Sequence, residues 1–285
     1  MTDLNTLNYL NLIGYIINVL VTFASASVFS FPDNAELSEK YQTIITPSGG
    51  TFAIWGIIFI SQGIFAVIQM LSGYRSNPLV QDAVSYYYFA ACMFQSLWTF
   101  AFGYEIISLS WLMMGGILAS LIPIVLNQSK IELEPSTEIR DFWLLKFPFS
   151  VHCGWIAAAF AVNANIFALV SGAQAGAQEA CAFATLGYAV VFACFALLYL
   201  SPPDFTIPSV LVWACLGIAM ELRNPTDAIM ATFSDAAIAR VRISVIGVGV
   251  ILAIVTAVYG VKRVLKKGFT TAKGDGAYNG DRFED

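Results

Sequence analysis

Eight predominantly apolar runs divide the chain, over residues 9–30, 51–72, 84–103, 106–126, 143–170, 180–200, 206–222 and 242–261. A bilayer core about 30 Å thick is crossed by roughly 20 mostly apolar residues in a helix, so each run predicts a membrane-spanning helix. Only Gly103, Tyr104 and Glu105 separate the third run from the fourth, which predicts a tight antiparallel hairpin. The fifth run exceeds one bilayer thickness. Its start, from Ser136 through Trp143 to Lys146, mixes charge with aromatics and is expected at the interface, with the span proper after Pro148. The first run is preceded by Asp3 and by no Lys or Arg, unlike a cleaved leader, and is expected to remain as a helix.

Composition agrees with this pattern and narrows it. Of 285 residues, 58% are hydrophobic and 12% charged, against about 25% charged in ordinary soluble domains, and the mean hydropathy is +0.72. These values exclude a water-soluble globule. A net charge of −5, with no basic stripe to neutralise phosphates, excludes nucleic acid as a partner. Five cysteines (Cys92, Cys153, Cys181, Cys194, Cys215) lie inside apolar stretches without a CxxC pair and read as small hydrophobes. With eight spans both termini share one side. That side carries Arg75, Lys130, Arg140, Lys146, Lys262, Arg263, Lys266 and Lys267, the other Lys40, Arg223, Arg240 and Arg242, so the termini are expected in the cytoplasm.

Candidate chemistry is limited by what the spans lack. A charged group at bilayer depth costs at least ~2.5–3.5 kcal/mol and marks a pathway or a site, yet Glu105 and Glu221 sit at helix ends and the spans proper hold essentially none. This argues against a proton relay, a voltage sensor and a carboxylate-coupled transporter, and the absence of a span lysine excludes a retinal Schiff base. The single histidine, His152, has no HExxH context, and its neighbour Cys153 points about 100° away on a helix. His152 reads as a hydrogen-bonded packing residue and stays a candidate ligand contact. Amides recur at membrane depth: Asn11, Asn18, Gln62, Gln69, Gln95, Asn163 and Asn165. Each must find a partner away from water, either as glue between helices or as an orienting group in an apolar site. Ala157, Ala158, Ala159 and Ala161 provide small faces for close helix packing.

Three segments carry a family resemblance. Pro47, Phe52, Ile54, Trp55 and Phe59, within Thr46–Phe59, resemble the second-helix Pro-Pro-x-Trp-x-Phe-x-x-Val-Trp-x-x-Leu-Tyr signature of the translocator protein (TspO, peripheral benzodiazepine receptor) family. Gln95-Ser96-Leu97-Trp98-Thr99 is similar to its third-helix Asn-x-x-Trp-Ser. Pro148-Phe149, then Trp155 followed by Asn163, is similar to its fifth-helix pattern. Ser48 and Gly50 stand where the family has Pro and Trp, and the longer layout resembles the branch called tryptophan-rich sensory proteins.

The resemblance implies an all-α polytopic bundle: a five-helix membrane domain over residues 1–170, three additional transmembrane helices over 171–262 and a polar cytoplasmic tail over 263–285. It further implies a lid over residues 31–50 and an apolar cavity that binds tetrapyrroles, sterols or synthetic aromatics. The expected ligand contacts are Pro47, Phe52, Trp55, Phe59, Gln95, Trp98, His152, Trp155 and Asn163, with no metal and no required cofactor. The expected function is a non-enzymatic binder, sensor or carrier of a hydrophobic, aromatic or tetrapyrrole-like molecule such as a porphyrin. A structural or assembly subunit of a larger membrane complex, or an enzyme acting on such a ligand, are the alternatives. The expected partners are the bilayer, the hydrophobic small molecule and either a second copy or another membrane subunit.

Overall fold

The computed structural model describes residues 3–29, 31–32 and 34–278, and every described element is helical. In chain order these are α1 (Thr6–Phe29), the short α2 (Asn34–Lys40), α3 (Ile54–Ile68, entered through a 3-10 turn at Gly49–Ala53), α4 (Tyr87–Gly103) and α5 (Ile107–Ser129). The short α6 (Glu138–Asp141), α7 (Phe147–Val170), α8 (Ala175–Cys194), α9 (Thr206–Glu221), the short α10 (Asp227–Thr232) and α11 (Asp235–Tyr278) follow. The eight long helices coincide with the eight apolar runs. Six described segments, residues 6–25, 49–68, 107–129, 138–170, 175–199 and 235–265, are long and apolar enough to cross a membrane by themselves. At 17 and 16 residues, α4 and α9 are shorter. The outward face of α3 exposes Ile57, Ile60, Ile64 and Val67, an apolar stripe suited to a lipid surrounding.

Helix ends follow local chemistry. At the start of α1, Asn5 and Asn8 each accept a hydrogen bond from the other's backbone N–H, at 3.2 and 3.1 Å, an all-asparagine capping box. Asp204 caps α9 by accepting from the N–H groups of Thr206 (2.8 Å) and Ile207 (3.1 Å), and Ser150 donates to the same carboxylate. Ahead of α7, Phe142–Lys146 forms a wider π turn that leads from the interfacial α6 into the span. The α4–α5 hairpin closes through N–H groups of Glu105 and Ile106 donating back to Phe102 and Ala101. Glu105 there adopts φ +58°, a left-handed position that glycine usually fills.

Within the expected polar tail over 263–285, α11 continues as helix to Tyr278. Extending an established helix fixes one residue per added bond, which is far easier than starting one. Residues 279–285 lie outside the described residues.

The centre of the bundle is α7, whose Phe149, Cys153 and Ile156 share one core with Ala193 and Ala196 from α8 and its following π turn, Leu211 of α9 and Leu252 of α11. The C-terminal helices are thus packed into the same core as the first five. Two glycines permit the close approaches. A Cβ on Gly154 of α7 would lie 3.1 Å from the Ile207 carbonyl oxygen of α9. A Cβ on Gly217 of α9 would lie 2.1 Å from Thr51 Oγ1 and 2.9 Å from Thr51 Cβ in the turn before α3. Replacing Gly217 with Val is expected to cost about 1–3 kcal/mol through overpacking. The measurement is thermal unfolding in detergent, with a lower midpoint expected and an unchanged one contradicting the close approach.

Candidate ligand-binding cavity

Residues 31–32 and 34–53 lie across the end of the bundle where α1 ends and α3 begins. Leu37, Ile44 and Ile45 anchor this lid by burial, and polar contacts fasten it on two sides. On one, Lys40 and Tyr41 both donate to the Glu105 carboxylate at the strained α4–α5 turn. On the other, Gln42 Nε2 donates to Glu221 Oε1 at 2.7 Å, and the Thr226 hydroxyl donates to Gln42. The Ser48 N–H reaches the Gly217 carbonyl at 3.1 Å, and Trp213 Nε1 donates to the Thr51 carbonyl at 3.0 Å.

Beneath the lid is a cavity of about 600 Å³, within the usual size range of small-molecule sites. Its mouth is polar, formed by Ser38, Glu39, Gln42, Glu221 and Thr226; its depth is apolar and aromatic. No Lys, Arg or His is among its described lining residues. Phe52 and Trp55 meet Trp155 edge-on, at centroid distances of 5.7 and 6.3 Å, and Trp98 stacks on Phe102 at 5.2 Å. The far wall belongs to the C-terminal helices, with Tyr188 of α8 and Leu211, Ala214 and Cys215 of α9. Two buried donors in the lining have no partner in the protein: the Trp155 indole N–H and the Tyr188 hydroxyl.

A family profile described as TSPO-like protein matches residues 8–259. The chain belongs to the TSPO-like family. No curated protein and no solved structure shows a significant match. The match ends at residue 259, inside α11, so α8, α9 and the first part of α11 fall within the TSPO-like region.

Of the expected contacts, Pro47, Phe52, Trp55, Trp98, Trp155 and Asn163 line this chamber of the TSPO-like bundle. Phe59 and Gln95 lie instead on a separate cavity of about 250 Å³, which Trp55 and Trp98 also line. His152 lines neither; it is 1% exposed, with Nδ1 2.7 Å from Gln62 Nε2, between α7 and α3. The Asn163 amide is largely taken up by the protein, its oxygen accepting from Ser110 (2.9 Å) and its nitrogen donating to the Ala159 carbonyl (3.0 Å). The alanines of α7 divide. Ala157 is fully buried in packing, whereas Ala158, Ala159 and Ala161 face the chamber, where short side chains leave volume that no neighbour fills.

Tyr188, Ala214, Glu39, Gln42 and Glu221 escape a reading of the spans one at a time. The one signal that could have found the first is a tyrosine hydroxyl within the sixth run; the others depend on how α8, α9 and the lid meet. Among the described residues no group of three or more His, Cys, Asp or Glu side chains is placed to hold a metal.

The lid fastening has a defined pH range. Hydrogen bonds from Lys40 and then Tyr41 hold the Glu105 carboxyl below its ordinary 4.5, and the bond to Glu105 raises Lys40 above 10.5. A depressed acid contributes its stabilisation above the unfolded pKa and loses it as pH falls through the folded one. A raised base contributes below its unfolded pKa and loses it as pH rises through the folded one. Lid amides are therefore expected to be most protected from hydrogen exchange, after correction for intrinsic rates, between these limits and to lose protection below pH 4.5. At pH 7.5, Glu105→Gln is expected to increase tryptic cleavage after Lys40; equal cleavage in both proteins contradicts the latch.

Proposed function

We propose that the chain is an integral membrane binding protein for a flat, hydrophobic aromatic ligand, tetrapyrroles included, and that it works as a sensor or carrier rather than as an enzyme. The observation that carries this reading is the pair of unpartnered donors, Trp155 Nε1–H and Tyr188 O–H, in the wall of an aromatic chamber. A buried donor without an acceptor costs about 1–3 kcal/mol. A ligand with a carbonyl or ring-nitrogen acceptor removes that cost, while indole and phenyl faces hold its rings. Glu39 and Glu221 at a mouth without basic residues favour neutral or cationic ligands over anionic ones. The distribution of basic residues supports an orientation with both termini in the cytoplasm and the lid on the opposite face.

The test is tryptophan quenching in detergent on titration with protoporphyrin dimethyl ester and with the free diacid. The neutral diester is expected to bind more tightly, and Trp155→Phe and Tyr188→Phe are each expected to weaken it about fivefold to tenfold, the worth of one hydrogen bond. Unchanged quenching in both variants contradicts the proposal.

A further inference from the structure

The start of α9, at the far end of that helix from its lid contact at Glu221, meets the α6–α7 junction and α11 in a cluster of charges that the chamber does not use. Arg263 of α11 ties the three together. It donates to the Pro203 carbonyl in the α8–α9 loop at 3.4 Å and faces Glu138 of α6 at 3.8 Å, a separation longer than a hydrogen bond. Lys146, the last residue of the π turn before α7, is 9% exposed. Asp204, Arg263 and Glu138 are the charges that act on it through space. Among the described residues, however, no acceptor is within hydrogen-bonding or ion-pairing distance of its ammonium. The Asp204 carboxylate accepts instead from the Ser150 hydroxyl and from the Thr206 and Ile207 N–H groups. A cation nine-tenths buried ordinarily has an anion in contact with it, and this one has none in the protein.

The surroundings indicate where an anion would come from. Ile139 and Trp143 of α6 and its π turn, Leu198 and Tyr199 after α8, and Val264 of α11 are all exposed, and an exposed tryptophan at the end of a span is suited to the headgroup level of a bilayer. The Arg263 and Glu138 side chains are 30% and 35% exposed, so the junction opens outward. A soluble anion would leave the apolar side chains uncovered. The acyl chains of a phospholipid cover them, while its phosphate lies at the depth that an interfacial lysine reaches.

We propose that this junction is a headgroup site for an acidic phospholipid of the leaflet at this end of the bundle, whose phosphate oxygens accept from Lys146 Nζ and from the Arg263 guanidinium. The planar fork of an arginine carries five donors, so Arg263 can hold a phosphate and keep its contact to Pro203. Arg140, Lys146, Lys262 and Arg263 outnumber Glu138, Asp141 and Asp204 here. That balance favours phosphatidylglycerol, which carries a net negative charge, over zwitterionic phosphatidylcholine.

The experiment uses the full chain in neutral detergent, with bound lipid counted by native mass spectrometry on titration with dioleoylphosphatidylglycerol and with dioleoylphosphatidylcholine. The wild-type protein is expected to bind one phosphatidylglycerol about tenfold more tightly than phosphatidylcholine, as for one hydrogen bond to a charged group. Inorganic phosphate is expected not to displace it. Lys146→Met and Arg263→Gln are each expected to erase the preference, and Lys262→Gln, whose exposed ammonium lies over the Tyr259 ring, to leave it intact. In detergent without added lipid, Lys146→Met is expected to keep or raise the thermal midpoint, because a neutral chain of similar length replaces an unpaired cation. A lowered midpoint shows that Asp204 already holds Lys146 within the protein, and overturns the proposal. Equal affinity of the wild-type protein for the two lipids overturns it without recourse to any variant, and displacement by inorganic phosphate does so by removing the need for a lipid. An equal loss in Lys262→Gln also overturns it, as attraction by surface charge at large.

Discussion

Within the hydrocarbon core no water is available to pair with a polar group, so each amide, hydroxyl or indole N–H turns to the protein or stays unpaired. Most of the deep amides here are paired between helices. Asn8 and Gln69 bind each other across α1 and the end of α3, Gln62 holds His152 between α3 and α7, and Asn165 donates to Thr185 between α7 and α8. These contacts set the helices against one another. Lack of a partner does not by itself define a site: Asn11 and His152 Nε2 are also unpaired and line neither cavity. Trp155 and Tyr188 differ because each unpaired atom belongs to a side chain that borders the chamber.

That space exists because α7 presents alanines where larger residues would fill the bundle, and because α8 and α9 close the opposite wall. The lid joins the two halves of the chain. It is tied to the α4–α5 turn through Glu105 and to α9 and the loop after it through Glu221, Gly217 and Thr226. Glu105 holds a backbone position that glycine would fill with less strain, and its carboxylate receives both Lys40 and Tyr41. The fastening at Gln42, Glu221 and Thr226 is itself part of the mouth of the chamber.

Much of this was legible in the residues. Apolar run length located all eight long helices because the bilayer imposes a length on each. Gly103-Tyr104-Glu105 marked the hairpin, and the resemblance of the motifs around Trp55, Trp98 and Trp155 to those of the TspO family implied one half of the chamber wall. The other half was not legible. Tyr188 and Ala214 lie on helices whose apolar patterns show no preferred face, since lipid and protein interior favour the same residues. The helical continuation to Tyr278 was missed because its polar composition resembles a tail. Gln62 could be recognised as the partner of His152 only once α3 and α7 were set side by side, and the alanines of α7 acquired a second meaning only when the volume they leave was found.

The central claim is that one aromatic chamber is built jointly by the first five helices and by α8 and α9. Its most direct test is Ala214→Phe, which puts a ring into the chamber from α9 without altering any residue of the first five helices. The account predicts that quenching by protoporphyrin dimethyl ester is abolished while the thermal midpoint is maintained or raised. Undiminished affinity in a folded Ala214→Phe protein would contradict it.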